Sequence, residues 1–364
     1  MAILELNHSA LRHNFDVLDA YFKRYSVSWG IVTKILCGTK VFLKELNQLN
    51  PDLYLDSRLS NLARIKALNP NVQTAYIKPP AKRILTKLLE VADISFNTQF
   101  DTLIVLNELS RQRNQPHKVV IMIELGELRE GVMRENAMNF FTKVFELEFI
   151  RVIGLGTNLN CMNGILPTHD KLYQLVLIKQ LIESKFNRSL PILSGGTSVV
   201  LPLIEKQLVP KGINHFRIGE TLFFGNDLLS GGQFLNLRED VFTLRAEVIE
   251  VLYKPTVPSG ERGMNLMGEI NASEEDDFST YRWRVLLDLG VLDIDPSNLI
   301  PEDSGFRIDG ASSDILALDL DPNATVPKVG DLIGFKVNYM GALRLMGSYY
   351  IEKRVVNASG NAAL

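Results

Sequence analysis

The run Val27-Ser28-Trp29-Gly30-Ile31-Val32-Thr33-Lys34 is apolar up to a terminal lysine, and Ile35-Leu36-Cys37-Gly38 follows it directly. A strand that ends in one lysine at a sharp turn presents an amine at the rim of a hydrophobic core. An amine that is partly removed from water there can react with the carbonyl group of a cofactor. The commoner fate of a lysine at a strand end is to extend into solvent, so a chemical role for Lys34 needs support from other parts of the chain.

The composition is that of a globular protein with one large barrel and a second domain, or with two ordinary domains. The chain has 364 residues, 46% of them hydrophobic and 22% charged, which excludes a disordered or coiled-coil protein. A net charge of −3 with scattered Lys and Arg gives no basic surface for nucleic acid. Two cysteines are too few for a disulfide framework, and no segment reaches the roughly 20 apolar residues of a membrane span. We therefore expect a cytoplasmic protein without nucleic-acid or membrane partners.

Strand patterns alternate with helical patterns through the first two thirds of the chain. Counted from the run that ends at Lys34, we predict strands at residues 27–34, 52–55, 72–77, 93–96, 118–125, 149–156, 191–193 and 214–218. Helices connect them, and one is predicted to open with Pro80 in its first turn and to end near Val91. Eight is the number of strands that closes a parallel (β/α)8 TIM barrel, so the fold class is α/β.

The pattern changes after about Gly225, where apolar residues alternate with period two between clusters of Gly, Pro and Asp. This predicts a mainly β C-terminal domain. We expect the barrel at residues 7–228, the β domain at 1–6 and 229–356, and a frayed tail at 357–364. The acidic run at 274–277 is predicted to be a solvated loop.

A barrel of this type carries its active site at the carboxyl ends of its strands. The informative segments there are Lys34, 124–131, 156–161, 194–198 and 217–220. Small residues and hydroxyls in Ser194-Gly195-Gly196-Thr197-Ser198, after strand seven, can form a phosphate site with the loop after strand eight. An ordinary turn with a helix N-cap is the alternative. A lysine after strand one together with such a phosphate site points to pyridoxal 5'-phosphate as cofactor.

These motifs resemble the fold-type III pyridoxal-phosphate enzymes, namely alanine racemase and especially the alanine/ornithine racemase family. The resemblance covers nearly the whole chain and gives an alanine racemase-like fold. It is carried by residues 32–38, 124–132, 154–161, 194–198 and 217–220, and by Gly310-Ala311-Ser312-Ser313-Asp314 in the second domain.

The resemblance implies roles for matched positions. Lys34 would bond covalently to the cofactor and serve as the base on one face of the substrate α-carbon. Arg217 would contact the pyridine nitrogen, and Arg129 the phenolic oxygen or the substrate carboxylate. The remaining cofactor contacts would be Asn158, Thr197, Ser198, Gly219, Glu220 and, from the second domain, Tyr350. Alternatives stay open: a surface ion pair for Arg217, pairing with Glu127 and Glu130 for Arg129, and a turn for Asn158.

One position departs from the family pattern. Racemisation needs a proton carrier on each face of the α-carbon, and alanine racemases supply the second from a tyrosine. Leu289 stands where that tyrosine would fall and cannot carry a proton. Cys161, Asp314 and Tyr339 are the candidates, and a buried core thiol is the alternative for Cys161.

The expected function is pyridoxal-phosphate-dependent racemisation of L- and D-amino acids, with alanine, ornithine or another basic amino acid as substrate. Two alternatives are a lyase or aldolase of the same fold that acts on D-amino acids, and a non-catalytic pyridoxal-phosphate-binding homeostasis protein. Glu124, Glu127 and Glu130 could receive a cationic substrate side chain, or could instead pair with Arg129 and Arg134. A homodimer with active sites shared between subunits is expected. No metal site is expected, since no His pairs with a Cys or a carboxylate at ligand spacing.

Overall fold

A computed structural model describes residues 2–261, 263–264 and 280–357. The predicted acidic loop at 274–277 lies outside the described residues, as does the predicted tail at 357–364 except for Asn357. The chain forms two compact units. Residues Ser9–Glu239 make up one, and the residues up to His8 with those from Asp240 onward make up the other.

The first strand, β1 (Ile3–Asn7), belongs to the second unit, and the barrel strands follow it in the chain. They are β2 (Ser28–Val32), β3 (Leu53–Asp56), β4 (Gln73–Tyr76), β5 (Ile94–Asn97), β6 (His117–Glu124), the short β7 (Val132–Met133), β8 (Ile150–Gly156), β9 (Ile192–Thr197) and β10 (His215–Ile218). All pairings are parallel. The sheet closes because β2 pairs with β10 as well as β3, and β5 pairs with β6. The predicted eight-stranded barrel is confirmed, with β7 an added strand beside β6.

Nine helices surround the barrel strands within the described part of this unit. They are α1 (His8–Arg24), α2 (Lys40–Asn47), α3 (Leu59–Leu68), α4 (Leu85–Val91), α5 (Phe100–Gln112), α6 (Ala137–Val144), α7 (His169–Phe186), α8 (Leu201–Glu205) and α9 (Glu220–Phe224). The prediction that Pro80 opens a helix is wrong. Ala81 is extended, at φ −70° and ψ 142°, so the helical backbone starts only with a 3-10 turn at Lys82–Ile84.

Alternate apolar side chains fill the core of the barrel sheet. The cluster consists of Val32, Leu55, Ala75, Ile94, Phe96, Val120, Met122 and Ile153. Glycines allow the closest approaches between strands. A Cβ on Gly30 would lie 2.4 Å from Cδ1 of Leu55, and one on Gly154 would lie 2.1 Å from the backbone oxygen of Ile192.

The second unit is mainly antiparallel β, as predicted. Its further elements are β11 (Phe242–Pro255), β12 (Tyr281–Asp288), β13 (Leu299–Pro301), β14 (Phe306–Ala311), β15 (Ile315–Leu320), β16 (Leu332–Val337), α10 (Tyr339–Gly347) and β17 (Glu352–Val356). The sheet order is β13-β16-β11-β12-β15-β14. Strand β1 joins it antiparallel to β11 and parallel to β17.

The barrel unit extends to Glu239, beyond the predicted boundary at 228. The added segment packs on α1 through the buried Asn14. Its Nδ2 donates to the carbonyls of Leu222 and Arg238 at 3.0 and 2.8 Å, and its Oδ1 accepts from Arg238 N at 2.7 Å. These backbone bonds tie the segment to the barrel unit, and they leave no trace in the hydrophobic pattern.

We expect Gly154→Ala to destabilise the barrel by about 1–3 kcal/mol or more, because the new Cβ would force β8 away from β9. Chemical denaturation followed by circular dichroism measures this. Gly310→Ala is the matched control, since a Cβ there meets nothing within 4 Å. Equal stabilities for the two variants would contradict the expectation.

Candidate active site

The predicted site segments lie at one end of the barrel because its strands are parallel. Lys34 follows β2, and Arg129 follows β6. Asn158 and Cys161 follow β8, and Arg217 stands near the end of β10. Thr197 ends β9 with Ser198 directly after it, and Gly219 and Glu220 follow β10.

Lys34 begins a 3-10 turn, Lys34–Leu36, and its side chain is exposed. The backbone of this turn is held from both sides. Thr33 Oγ1 donates to Asp56 Oδ2 at 2.7 Å, and Arg64 donates to the Gly38 carbonyl at 2.8 Å. Burial raises the pKa of Glu220, and the charge of Lys34 opposes that rise, so these two side chains interact.

Asp56 supports the Lys34 turn and was missed in the sequence. Its carboxylate is fully buried at the end of β3, where it also accepts bonds from Arg58 N at 2.8 Å and Asn61 Nδ2 at 3.2 Å. Burial raises the pKa of Asp56, and these bonds act against the rise. The sequence signal for Asp56 is an acid directly after the apolar run Leu53-Tyr54-Leu55, at the end of a barrel strand.

Arg217 is buried, with 3% of its surface exposed, so the surface ion-pair alternative is wrong. One terminal nitrogen donates to Ser194 Oγ at 2.5 Å, and the other donates to the Thr157 carbonyl at 2.7 Å and to Asn158 Oδ1 at 3.3 Å. The guanidinium carbon lies 5.5 Å from the centre of the Phe96 ring. Burial lowers the pKa of Arg217 to about 10, which still leaves it charged at neutral pH. No described residue accepts a hydrogen bond from its Nε.

The Ser194 hydroxyl links Arg217 to a buried histidine. Ser194 Oγ lies 3.0 Å from Nδ1 of His215. Burial, with a smaller contribution from the Arg217 charge, lowers the pKa of His215 to about 3. His215 is therefore neutral in the working pH range and adds no second positive charge beside Arg217.

The two loops predicted to form the phosphate site are joined to each other. Ser198 Oγ accepts from the backbone N of Gly219 and Thr221, each at 3.4 Å, and so joins the loops after β9 and β10. Gly196 has φ +140°, and a Cβ on Gly219 would lie 3.1 Å from Cβ of Val32. Thr197 makes no side-chain cap bond, so the N-cap alternative does not describe this turn.

The acids after β6 have separate partners. Glu124 accepts from the backbone N of Gly126 at 2.5 Å and of Arg129 at 3.3 Å. Glu127 accepts from the backbone N of Cys161 at 3.1 Å; its other donors are the backbone N of Asn163 at 2.7 Å and of Ile165 at 3.2 Å. Both carboxylates therefore accept hydrogen bonds from backbone N–H groups of nearby loops.

Arg129 lies between Glu130 and Cys161. It forms an ion pair with Glu130, not with Glu127, and its Nη1 is in contact with Sγ of Cys161. The Glu130 bond is the main reason that the pKa of Arg129 is raised, and Cys161 adds a smaller rise. Cys161 is exposed, so the core-thiol alternative is wrong.

The other predicted residues belong to the β unit. Asp314 is exposed, Tyr339 is half-buried, and Tyr350 is 74% exposed. Leu289 is buried, with 1% exposed.

The family model described as "Alanine racemase, N-terminal domain" matches residues 6–227, which span the barrel. The chain belongs to the alanine racemase family. The family resemblance predicted from the strand-end motifs is thus confirmed.

Curated relatives of this alanine racemase family member match over both units. It is 33% identical over 354 residues to the ornithine racemase of Acetoanaerobium sticklandii, covering 97% of this chain and 99% of that one. It is also 33% identical over 324 residues to the lysine racemase of Thermotoga maritima, covering 88% and 89%. In fold, it matches an alanine racemase structure from Bartonella henselae with covalently bound pyridoxal phosphate. That match has a TM-score of 0.75 and 16% identity, covering 98% and 99% of the chains.

The site residues of this family member fit pyridoxal phosphate, the cofactor of the family. Lys34 supplies an exposed amine at a fixed turn. Glycines at 196 and 219 bring the backbone after β9 and β10 close to its neighbours, and backbone N–H groups of such loops can bind a phosphate. The Nε–H of the buried Arg217 has no acceptor among the described residues, so it can contact a ring nitrogen.

Among the described residues, no group of three or more His, Cys, Asp and Glu side chains is placed to hold a metal ion. The helices of the described part of the chain include none with the length and hydropathy to cross a bilayer.

We expect Glu127→Gln to destabilise the protein by about 2–3 kcal/mol at neutral pH through loss of charge-assisted hydrogen bonds. Burial alone would raise the pKa of Glu127, but the bonds from Asn163, Cys161 and Ile165 outweigh it and lower the pKa from its usual 4.5. The stabilisation is therefore fully present above about pH 4.5 and is lost as the pH falls through the lower folded-state pKa.

Denaturation of both proteins across this pH range measures the difference. It should be constant near neutrality and shrink in acid. A difference that grows as the pH falls would contradict the assignment.

Proposed function

We propose that this chain is a pyridoxal-phosphate-dependent amino-acid racemase that acts on basic amino acids of the ornithine and lysine class. The observation that carries the proposal is the arrangement of Lys34, the buried Arg217 and the phosphate site at one end of the barrel. The small-molecule substrate binds at that same end. We place the enzyme in the cytoplasm, in keeping with its two free cysteines.

Each contact has a chemical role. When bound, pyridoxal phosphate withdraws electrons from the substrate α-carbon, which makes its proton acidic. Lys34 holds the cofactor covalently and then takes or returns the α-proton at Nζ. Arg129 binds the phenolic oxygen or the substrate carboxylate. The remaining cofactor contacts are Asn158, Thr197, Ser198, Gly219, Glu220 and, from the β unit, Tyr350.

Arg217 favours racemisation over other reactions of this cofactor. A guanidinium with a pKa of about 10 does not give its proton to a pyridine nitrogen at neutral pH. The unprotonated ring is a weaker electron sink, which limits side reactions and favours simple return of the proton. The neutral His215 preserves this single positive charge.

The substrate class is supported by the relatives' names and by the loop after β6. Since Glu124 and Glu127 bind backbone N–H groups, neither meets a substrate ammonium. Glu130 is the remaining acid of this loop, and it is paired with the Arg129 side chain.

We further propose a homodimer in which the β unit, made of the residues up to His8 and from Asp240 onward, completes the site made by the Ser9–Glu239 barrel unit of its partner. The second proton carrier then comes from Cys161 in the barrel or from Asp314 or Tyr339 in the β domain. The match to the ornithine racemase includes the β unit, which a pyridoxal-phosphate storage protein with a barrel alone would lack.

We expect purified protein with pyridoxal phosphate to show an imine absorption band and to interconvert L- and D-ornithine and L- and D-lysine. Lys34→Ala should lose the band and at least about a thousandfold in rate. Lys44→Ala, an exposed lysine on α2, is the control and should keep both. A band that persists in Lys34→Ala sinks the proposal, whereas cleavage of a D-amino acid without racemisation would support the lyase alternative.

A further inference from the structure

The proposed racemase needs a second proton carrier, and Leu289 cannot supply it. A single base on one face of the α-carbon can exchange the α-proton with solvent, but it cannot invert the configuration of that carbon. Inversion requires a donor on the opposite face. Leu289 is an aliphatic side chain buried in the β unit, so another group must carry that proton.

Cys161 carries an ionisable atom in the barrel site and has a charged partner. Arg129 Nη1 is in contact with its Sγ. The opposite side of that guanidinium pairs with Glu130, which fixes its orientation. A guanidinium in contact with sulfur stabilises negative charge on it, and the exposed thiol remains open to a ligand.

The loop that carries Cys161 is held in place. Glu127 accepts from Cys161 N and Asn163 N, and Asn160 N donates to the Ile165 carbonyl at 2.8 Å. Asn160 adopts φ 52°, a left-handed conformation that asparagine tolerates. The Cys161 sulfur therefore has a fixed position relative to β6 and β8.

Cys161 and Lys34 face the barrel mouth from separated strands. Strand β8 is the third strand from β2 in one direction around the sheet and the fifth in the other. Arg217 lies between them on β10. It is buried, and no described residue accepts a hydrogen bond from its Nε. Its Nη2 donates to Asn158, in the loop that carries Cys161. In the shorter direction around the sheet, Arg217 therefore lies between the strand that precedes Lys34 and the strand that precedes Cys161.

We propose that Cys161 is the second proton carrier of the racemase and that Arg129 is its positioning residue. With one enantiomer, Lys34 Nζ takes the α-proton and the electron pair of that bond stays with the substrate. The Cys161 S–H bond then breaks, and its proton forms a new C–H bond on the opposite face. Lys34 is left as ammonium and Cys161 as thiolate, and exchange with water restores both. The other enantiomer uses the same transfers in reverse. This assignment rests on the proposed function.

The first test needs no activity. In cofactor-free Cys37→Ala protein, Cys161 is the single cysteine, and its alkylation by iodoacetamide is followed by mass spectrometry between about pH 6 and 9. Adding Arg129→Gln should slow the neutral-pH reaction about fivefold or more. Arg134→Gln, the other arginine of this region, is the matched control and should leave the rate unchanged. Equal alkylation rates in the Arg129 and Arg134 variants would contradict the proposed interaction between Arg129 and Cys161.

The second test separates exchange from inversion in heavy water. In Cys161→Ala and Cys161→Ser, Lys34 should still exchange the α-proton of one enantiomer of ornithine, while inversion falls at least about a hundredfold. Lys44→Ala, the exposed lysine on α2, is the control and should keep both exchange and inversion.

Two results count against the assignment. Normal inversion in Cys161→Ala, or its loss in Asp314→Asn or Tyr339→Phe alone, would place the second carrier elsewhere while leaving the racemase intact. Wild-type protein that exchanges no α-proton would overturn the racemase proposal itself.

Discussion

The buried charge of Arg217 is the constraint on which the site depends. An ion taken out of water costs several kcal/mol unless polar groups replace its hydration. Here the replacements are neutral: a carbonyl, a hydroxyl and an amide oxygen, with the Phe96 ring beside the guanidinium. They come from the loop directly after β8 and from β9, while Arg217 stands on β10. One charge therefore fixes the ends of three neighbouring strands, and the loops that follow those strands contain most of the proposed cofactor contacts.

The acidic side chains near Arg217 mainly hold the turns and loops at the mouth of the barrel through hydrogen bonds. Asp56 holds the turn that carries Lys34, Glu124 closes the loop after β6, and Glu127 joins that loop to the one after β8. A carboxylate that accepts several N–H groups fixes a loop without a regular element of secondary structure. The mouth of the barrel thus gains rigid loops, and the side chains left for chemistry are few and in defined positions.

The sequence predicted the barrel because each apolar run had strand length and its spacing from the next left room for a helix. It also singled out Lys34, Arg129 and Arg217 as candidates, since a polar residue at the end of a buried strand can be recognised in the sequence. The sequence does not show which hydrogen-bond partner each side chain takes. Glu127 and Glu130 flank Arg129 almost equally in sequence, yet one binds backbone and the other binds the guanidinium. The later domain boundary depends on backbone bonds to Asn14, and such bonds have no signature in hydrophobic pattern.

Strand β1 has a consequence for how the chain is made. Its partners β11 and β17 follow it only after the whole barrel sequence, with the pairing Ile3 to Arg245 as an example. During synthesis from the N-terminus the barrel can close while β1 still exposes its unpaired edge. Such an edge is a template for wrong pairing with another chain. Its five residues, two of them the polar Glu5 and Asn7, keep that edge short until its partners emerge from the ribosome.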